Sequence, residues 1–118
     1  MSIFAIAAGG AIGALGRYGV MSLVGLTTFP YATILVNVIG SLALGALVEA
    51  NALFLDLSEN TRLFLVVGLL GGFTTFSTFS MDSVFLLQKG EFLKAGLYMV
   101  ATLTLTLASF MAGMWLIK

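Results

Sequence analysis

The spacing of the charged residues constrains the fold most, because it divides the chain into long uncharged runs. A charge at the centre of a membrane helix costs about 2.5–3.5 kcal/mol on insertion scales, so charged residues mark the ends of spans. Helices of roughly 20 residues fit between them as four spans: Ile3–Leu23, Tyr31–Ala50, Thr61–Gln88 and Phe92–Ile117. We therefore predict an all-α integral membrane protein that forms a single unit over residues 1–118.

The composition excludes several classes of function. The chain is 60% hydrophobic and only 8% charged, whereas about a quarter of the residues in a soluble domain are charged. Its net charge is zero, so we expect no nucleic-acid partner. The chain has no Cys and no His, which removes thiol nucleophiles, imidazole bases and most transition-metal sites, and we expect no enzyme. The opening MSIFAIAAGG lacks a positive region and is assigned to the first span rather than to a cleaved signal.

The segment TLTLTLAS, residues 102–109, alternates with the period of a strand. It lies inside a long uncharged run, and no other segment alternates as a membrane barrel would require. We therefore predict that it is helical.

Small residues line one face of the first span. Ala5, Gly9 and Gly13 are spaced by four, so helix backbones can approach closely along this face. Such a face suits either packing within the chain or a dimer interface, and the motif alone does not choose between them.

The basic residues give almost no preferred orientation. Arg62 and Lys118 lie on the side of the two termini, and Arg17, Lys89 and Lys94 lie on the other. Lys and Arg in short loops set orientation, so this near balance allows insertion both ways and, with it, antiparallel dimers.

Aligned polar side chains lie within two of the spans. Asn37 follows Thr33 by one turn and is either an interhelical hydrogen-bonding group or an amide that handles a ligand. Tyr98, Thr102 and Thr106 are spaced by four on the last span. Their hydroxyls form a wet or ligand-facing track, unless the two threonines only back-bond to their own helix.

Two charged residues near span ends have alternative interpretations. Arg17 either extends its side chain from the end of the first span toward water or sits in an aqueous vestibule, where it attracts anions. Asp82 must face the interior, a vestibule or a partner.

The third span contains GGFTTFSTFS, residues 71–80, which is unusual for a helix at membrane depth. Gly71 and Gly72 weaken a helix, and the hydroxyl residues after them compete for backbone hydrogen bonds. A broken helix is tolerated there only inside protein or beside a water-filled cavity, where its carbonyls can bind a cation. Phe76 and Phe79 share a face, and their positive ring edges can meet a small anion. The alternative is an ordinary packed helix with incidental Ser and Thr.

These motifs together resemble the Fluc (CrcB) family of fluoride channels over essentially the whole chain. GGFTTFSTFS matches the break in the third span of that family nearly letter for letter. GRYG at residues 16–19 and TILVN at residues 33–37 match its first and second spans. The hydroxyl face of the fourth span also fits.

The resemblance implies a fluoride-selective channel in the bacterial inner membrane that passively exports fluoride from the cytoplasm. It implies an antiparallel, dual-topology homodimer with two pores and a central structural sodium ion. The backbone carbonyls of Gly71 and Thr74 would hold the sodium ion, and Arg17 would lie near a vestibule. The residues that the resemblance places along the pore are Phe76, Phe79, Asn37, Ser77, Tyr98, Thr102 and Thr106.

The chain departs from the family at Asp82, where members often have Glu. Two other classes compete with the channel. A small multidrug transporter needs a carboxylate within the first span, and this span has none. A non-conducting scaffold subunit would explain the glycine face but neither the aligned hydroxyls nor a broken third span.

Overall fold

The computed structural model describes residues 2–118, and all regular structure in this range is helical. The third span consists of four consecutive segments, and the other spans are single helices. The elements are α1 (Ser2–Val24), α2 (Tyr31–Leu53), α3 (Glu59–Arg62), a π-helical segment (Leu63–Leu70), α4 (Gly71–Phe73), α5 (Phe76–Gln88) and α6 (Phe92–Ile117).

Among residues 2–118, four helical stretches are long and apolar enough to cross a membrane, the third counted from Glu59 to Gln88. This confirms the predicted all-α, four-span membrane architecture, and residues 102–109 lie within α6 as predicted. The second helix extends to Leu53, three residues past its predicted end at Ala50. Beyond this predicted end, Asn51 Oδ1 accepts a hydrogen bond from the Leu57 amide at 3.3 Å, so the extra turn is tied to the following loop.

Close packing between helices depends on glycine. A methyl group at Gly9 or Gly13 would overlap the carbonyl oxygen of Phe64 or Leu69 in the third span. The small-residue face of the first span therefore packs within the chain rather than on its outside. Glycine also allows α2 and α6 to pack closely, because a methyl at Gly45 would overlap the Phe110 carbonyl oxygen.

The distribution of polarity is inverted relative to a soluble protein. Large apolar side chains such as Leu23 and Trp115 are exposed on the outside of the bundle. Thr33 and Thr102 are among the buried residues. An apolar exterior suits lipid, and it leaves the polar groups to pack against one another inside.

Candidate functional site

The helical backbone of the third span is interrupted at Thr74 and Thr75. Both residues have extended backbone, with φ −81° and ψ 157° at Thr74 and φ −152° and ψ 121° at Thr75. The Thr75 hydroxyl then caps α5 by accepting a hydrogen bond from the Thr78 amide at 3.1 Å. A Thr that caps a helix start, after two glycines, explains locally why the helix ends and restarts here.

Asn37 holds the extended segment from the side of α2. Its Oδ1 accepts a hydrogen bond from the Thr75 amide at 2.8 Å, and its Nδ2 donates one to the Thr75 carbonyl at 3.1 Å. The side-chain amide thus replaces the partners that Thr75 would have in a helix. The interhelical hydrogen bond is therefore present, and the second N–H of Nδ2 remains for another acceptor.

We call the two hydrogen bonds between Asn37 and Thr75 the clamp. A cavity of about 270 Å³ lies beside it, between α2, the third span and α6. Five of the seven predicted pore residues line it. The lining residues are Asn37, Ser41, Thr74, Thr75, Phe76, Phe79, Thr102, Leu103, Thr106 and Leu107.

Two hydroxyls in the cavity wall lack a partner. The Oγ1 atoms of Thr102 and Thr106 are buried and make no hydrogen bond within the described chain. Neither side chain back-bonds to its own helix, so the alternative interpretation of these threonines is wrong. A buried hydroxyl without a partner is costly, and both threonines line the cavity, so a polar occupant that either hydroxyl turned toward would offset this cost.

The two phenylalanines are in contact but differ in exposure. The ring centroids of Phe76 and Phe79 are 5.3 Å apart and the ring planes are tilted by 44°. Phe79 is 9% exposed, whereas Phe76 is 71% exposed on the single chain. One ring therefore belongs to the interior, and the other projects from the surface of the subunit.

Tyr98 lies outside this cavity and belongs to a second polar cluster. Its ring packs against Phe79 with centroids 5.4 Å apart, and its hydroxyl donates to Asp82 Oδ2 at 2.9 Å. The Thr33 hydroxyl donates to the same Oδ2 at 2.7 Å. Thr33 and Asp82 also line a second cavity of about 460 Å³ beside the loop between α1 and α2. Asp82 therefore faces polar groups inside the subunit and an open cavity.

The other predicted residues occupy distinct places. Ser77 is exposed, with its hydroxyl oxygen 3.2 Å from that of Thr75. Arg17 is half-buried, and its Nε donates to the Gly72 carbonyl at 3.2 Å. A position near a vestibule stays a prediction for Arg17.

The carbonyl oxygens of Gly71 and Thr74 are compatible with the predicted sodium site. Outside the regular helices, none of the hydrogen bonds among residues 2–118 ends on either oxygen. Thr74 has extended backbone, whereas Gly71 lies in the helical turn just before it. Carbonyls at an unwound segment are donors that coordinate sodium in some membrane proteins. The sodium ion itself remains a prediction.

Sequence reasoning missed Ser41 as a cavity-lining residue. It follows Asn37 by four residues on α2, so helical spacing was the available signal. The contacts of Thr75 with Asn37 had no such signal, because the two residues are 38 positions apart.

Comparison with known proteins assigns the family. The model of the CrcB-like protein family, described as "Camphor Resistance (CrcB)", matches residues 4–114. The chain belongs to the CrcB family. A relative from Idiomarina loihiensis, named "Fluoride-specific ion channel FluC", is 48% identical over 98% of this chain and 92% of its own length. A second, from Nitrobacter hamburgensis and named "Fluoride-specific ion channel FluC 1", is 41% identical over 98% of this chain and 94% of its own length.

Proposed function

We propose that this protein is a fluoride-selective channel that lets fluoride leave the cytoplasm passively through a bacterial inner membrane. The observation that carries the proposal is the cavity where the Asn37 amide, the unpartnered hydroxyls of Thr102 and Thr106 and the rings of Phe76 and Phe79 converge. The relatives named above are channels rather than enzymes, which confirms the prediction that the chain is not an enzyme.

The chemistry of the cavity suits a small, strongly hydrated anion. Fluoride must exchange its water for donors at each step, and hydroxyl and amide groups donate hydrogen bonds without the full charge that would slow its release. The edges of the Phe76 and Phe79 rings carry partial positive charge, and their apolar bulk disfavours larger hydrated anions. Tyr98 can donate to the anion only when its proton turns away from Asp82.

The proposal includes an antiparallel, dual-topology homodimer with two pores. Phe76 is 71% exposed and Gly71 is exposed on the single chain, although both lie in the middle of the third span. A partner subunit would cover these groups and complete the cavity wall. Charge supports the antiparallel arrangement: the terminal end of the bundle has one acidic residue more than basic ones, and the opposite end has one basic residue more than acidic ones.

We assign the Thr74–Thr75 interruption as the functional break of the third span. In the dimer, the carbonyls of Gly71 and Thr74 from both subunits would hold the structural sodium ion. The ion would supply positive charge that offsets repulsion between anions near the path.

Fluoride efflux from liposomes containing the purified protein tests the proposal. A fluoride electrode outside records release, chloride release is the control, and sodium is supplied on both sides. We expect rapid fluoride release without chloride release.

Two results would overturn the channel proposal. Proton-coupled export of cationic drugs would indicate a multidrug transporter instead. A folded, sodium-supplied dimer that releases neither fluoride nor drug would indicate a scaffold subunit.

A further inference from the structure

The interruption of the third span leaves a backbone carbonyl that Arg17 satisfies. In a continuous helix, the amide of Phe76 would bond to the carbonyl of Gly72. The extended residues Thr74 and Thr75 move that amide away. The guanidinium of Arg17 donates to this carbonyl from α1 at 3.2 Å, across 55 residues of sequence.

The contact depends on close packing of α1 against the end of α4. A methyl at Gly72 would lie 2.9 Å from the Gly10 carbonyl oxygen, and a methyl at Gly16 would lie 3.4 Å from the ring of Phe73. The Arg17 stem therefore leaves α1 where this helix already touches the interrupted segment. Its guanidinium contacts the backbone of that segment rather than only reaching toward water.

A cation is well suited to this position. The last carbonyls of a helix carry partial negative charge, and Arg or Lys near a helix C-terminus can both neutralise and hydrogen-bond them. In a continuous helix Leu70 would pair with the amide of Thr74, and it does so here, with the Thr74 hydroxyl as a second donor to the same oxygen. Gly72 has no such donor from the chain that follows it and uses Arg17 instead.

We propose that Arg17 is a positioning residue that closes the end of α4 and so fixes the break before Phe76. Arg17 and Asn37 hold the two sides of the interruption: Arg17 binds the carbonyl before it, and Asn37 binds the extended residue Thr75 within it. The directions of the Gly71 and Thr74 carbonyls then depend on a side chain of the first span.

The test compares Arg17→Gln and Arg17→Lys with a matched control, Arg62→Gln. Arg62 is exposed and makes no hydrogen bond with the interrupted segment in the described structure. Hydrogen exchange of purified protein in lipid nanodiscs is measured for peptides covering residues 70–80 and, separately, residues 92–117. This measurement is independent of ion conduction.

We expect Arg17→Gln to speed exchange of the backbone amides within residues 74–80 by roughly tenfold or more, since a hydrogen bond from a charged group is lost. Exchange in residues 92–117 should not change. Arg17→Lys should restore part of the protection, and Arg62→Gln should match the wild type. Unchanged exchange at residues 74–80 in Arg17→Gln would overturn the proposal. If both Arg17 variants speed amide exchange equally throughout the chain, the positioning proposal is overturned, and Arg17 has a general structural role instead.

A flux measurement separates positioning from attraction of anions, and this arm rests on the proposed channel function. If Arg17 acts by positioning, the fluoride flux of Arg17→Gln stays low at both low and high ionic strength. If Arg17 only attracts anions, high salt screens its charge and the difference from wild type disappears, which would overturn the positioning role. A silent wild-type protein would contradict the channel function but leave the exchange result standing.

Discussion

At the scale of single residues, the hydroxyls of Thr102 and Thr106 are the strongest candidates for a functional rather than a structural role. Most buried polar atoms in a protein have a partner, and each one without a partner costs stability. The buried oxygens of these two residues have none within the described chain, although both side chains face a cavity. If the protein conducts fluoride as proposed, these two hydroxyls are expected to donate to the anion rather than to the fold.

This argument predicts a separation of stability from activity in Thr102→Val. Valine has the same shape and lacks the hydroxyl, so no hydrogen bond of the fold is lost. The free energy of unfolding should stay within about 0.5 kcal/mol of wild type or rise slightly. Fluoride flux should fall by roughly tenfold, because a donor to a charged ligand is removed. Thermal melting and liposome efflux measure the two quantities.

The matched control is Thr104→Val on the exposed face of the same helix. It should leave both quantities unchanged. Strong destabilisation of Thr102→Val with normal flux would mean that this hydroxyl serves the fold after all.

At the scale of the elements, the third span depends on side chains from its neighbours. Asn37 satisfies both backbone groups of Thr75, a residue that is itself buried. The same amide lines the cavity, so it combines a structural contact with a free N–H donor. The two interpretations that the sequence allowed for Asn37 are therefore compatible.

Asn37→Ala should be costly for the fold as well as for conduction. Two buried backbone groups lose their partners, and each costs about 1–3 kcal/mol when left unsatisfied. We expect a clearly lower melting temperature and little fluoride flux from the folded fraction. Asn60→Ala is the control, because Asn60 is an exposed amide outside the cavity and loses only a solvent-exposed hydrogen bond from Ser2 Oγ at 3.3 Å. A variant with wild-type stability would contradict the clamp.

The ends of the helices were predictable because charge has a large cost in lipid. Charged residues or the proline therefore marked Tyr31, Gln88 and Phe92 correctly as helix boundaries. The π-helical segment Leu63–Leu70 was not predictable, since its shifted hydrogen bonds leave no signature in an apolar run. The Arg17 contact was also hidden, because it joins residues distant in sequence whose approach depends on the packing of α1.

At the scale of the whole molecule, the exterior is almost uniformly apolar and the two ends differ little in charge. Exposed residues such as Leu23 and Trp115 suit lipid around the bundle. The orientation of a membrane protein follows the Lys and Arg residues in its short loops. This chain has three Lys and Arg residues on one side and two on the other, so its basic residues scarcely favour either orientation. The subunit should therefore insert in both orientations, as an antiparallel dimer requires.

Single-cysteine labelling tests this expectation, because the native chain has no Cys. Asn60→Cys places a thiol at the terminal end and Thr28→Cys places one at the opposite end, both at exposed positions. A membrane-impermeant maleimide applied to intact cells should label roughly half of each variant, and the remainder should react only after permeabilisation. Full labelling of one variant with none of the other would establish a single orientation and exclude the antiparallel dimer. Cysteine is chosen as the reporter because it adds no charge. One added Lys at either end would change the near balance of basic residues that sets the orientation.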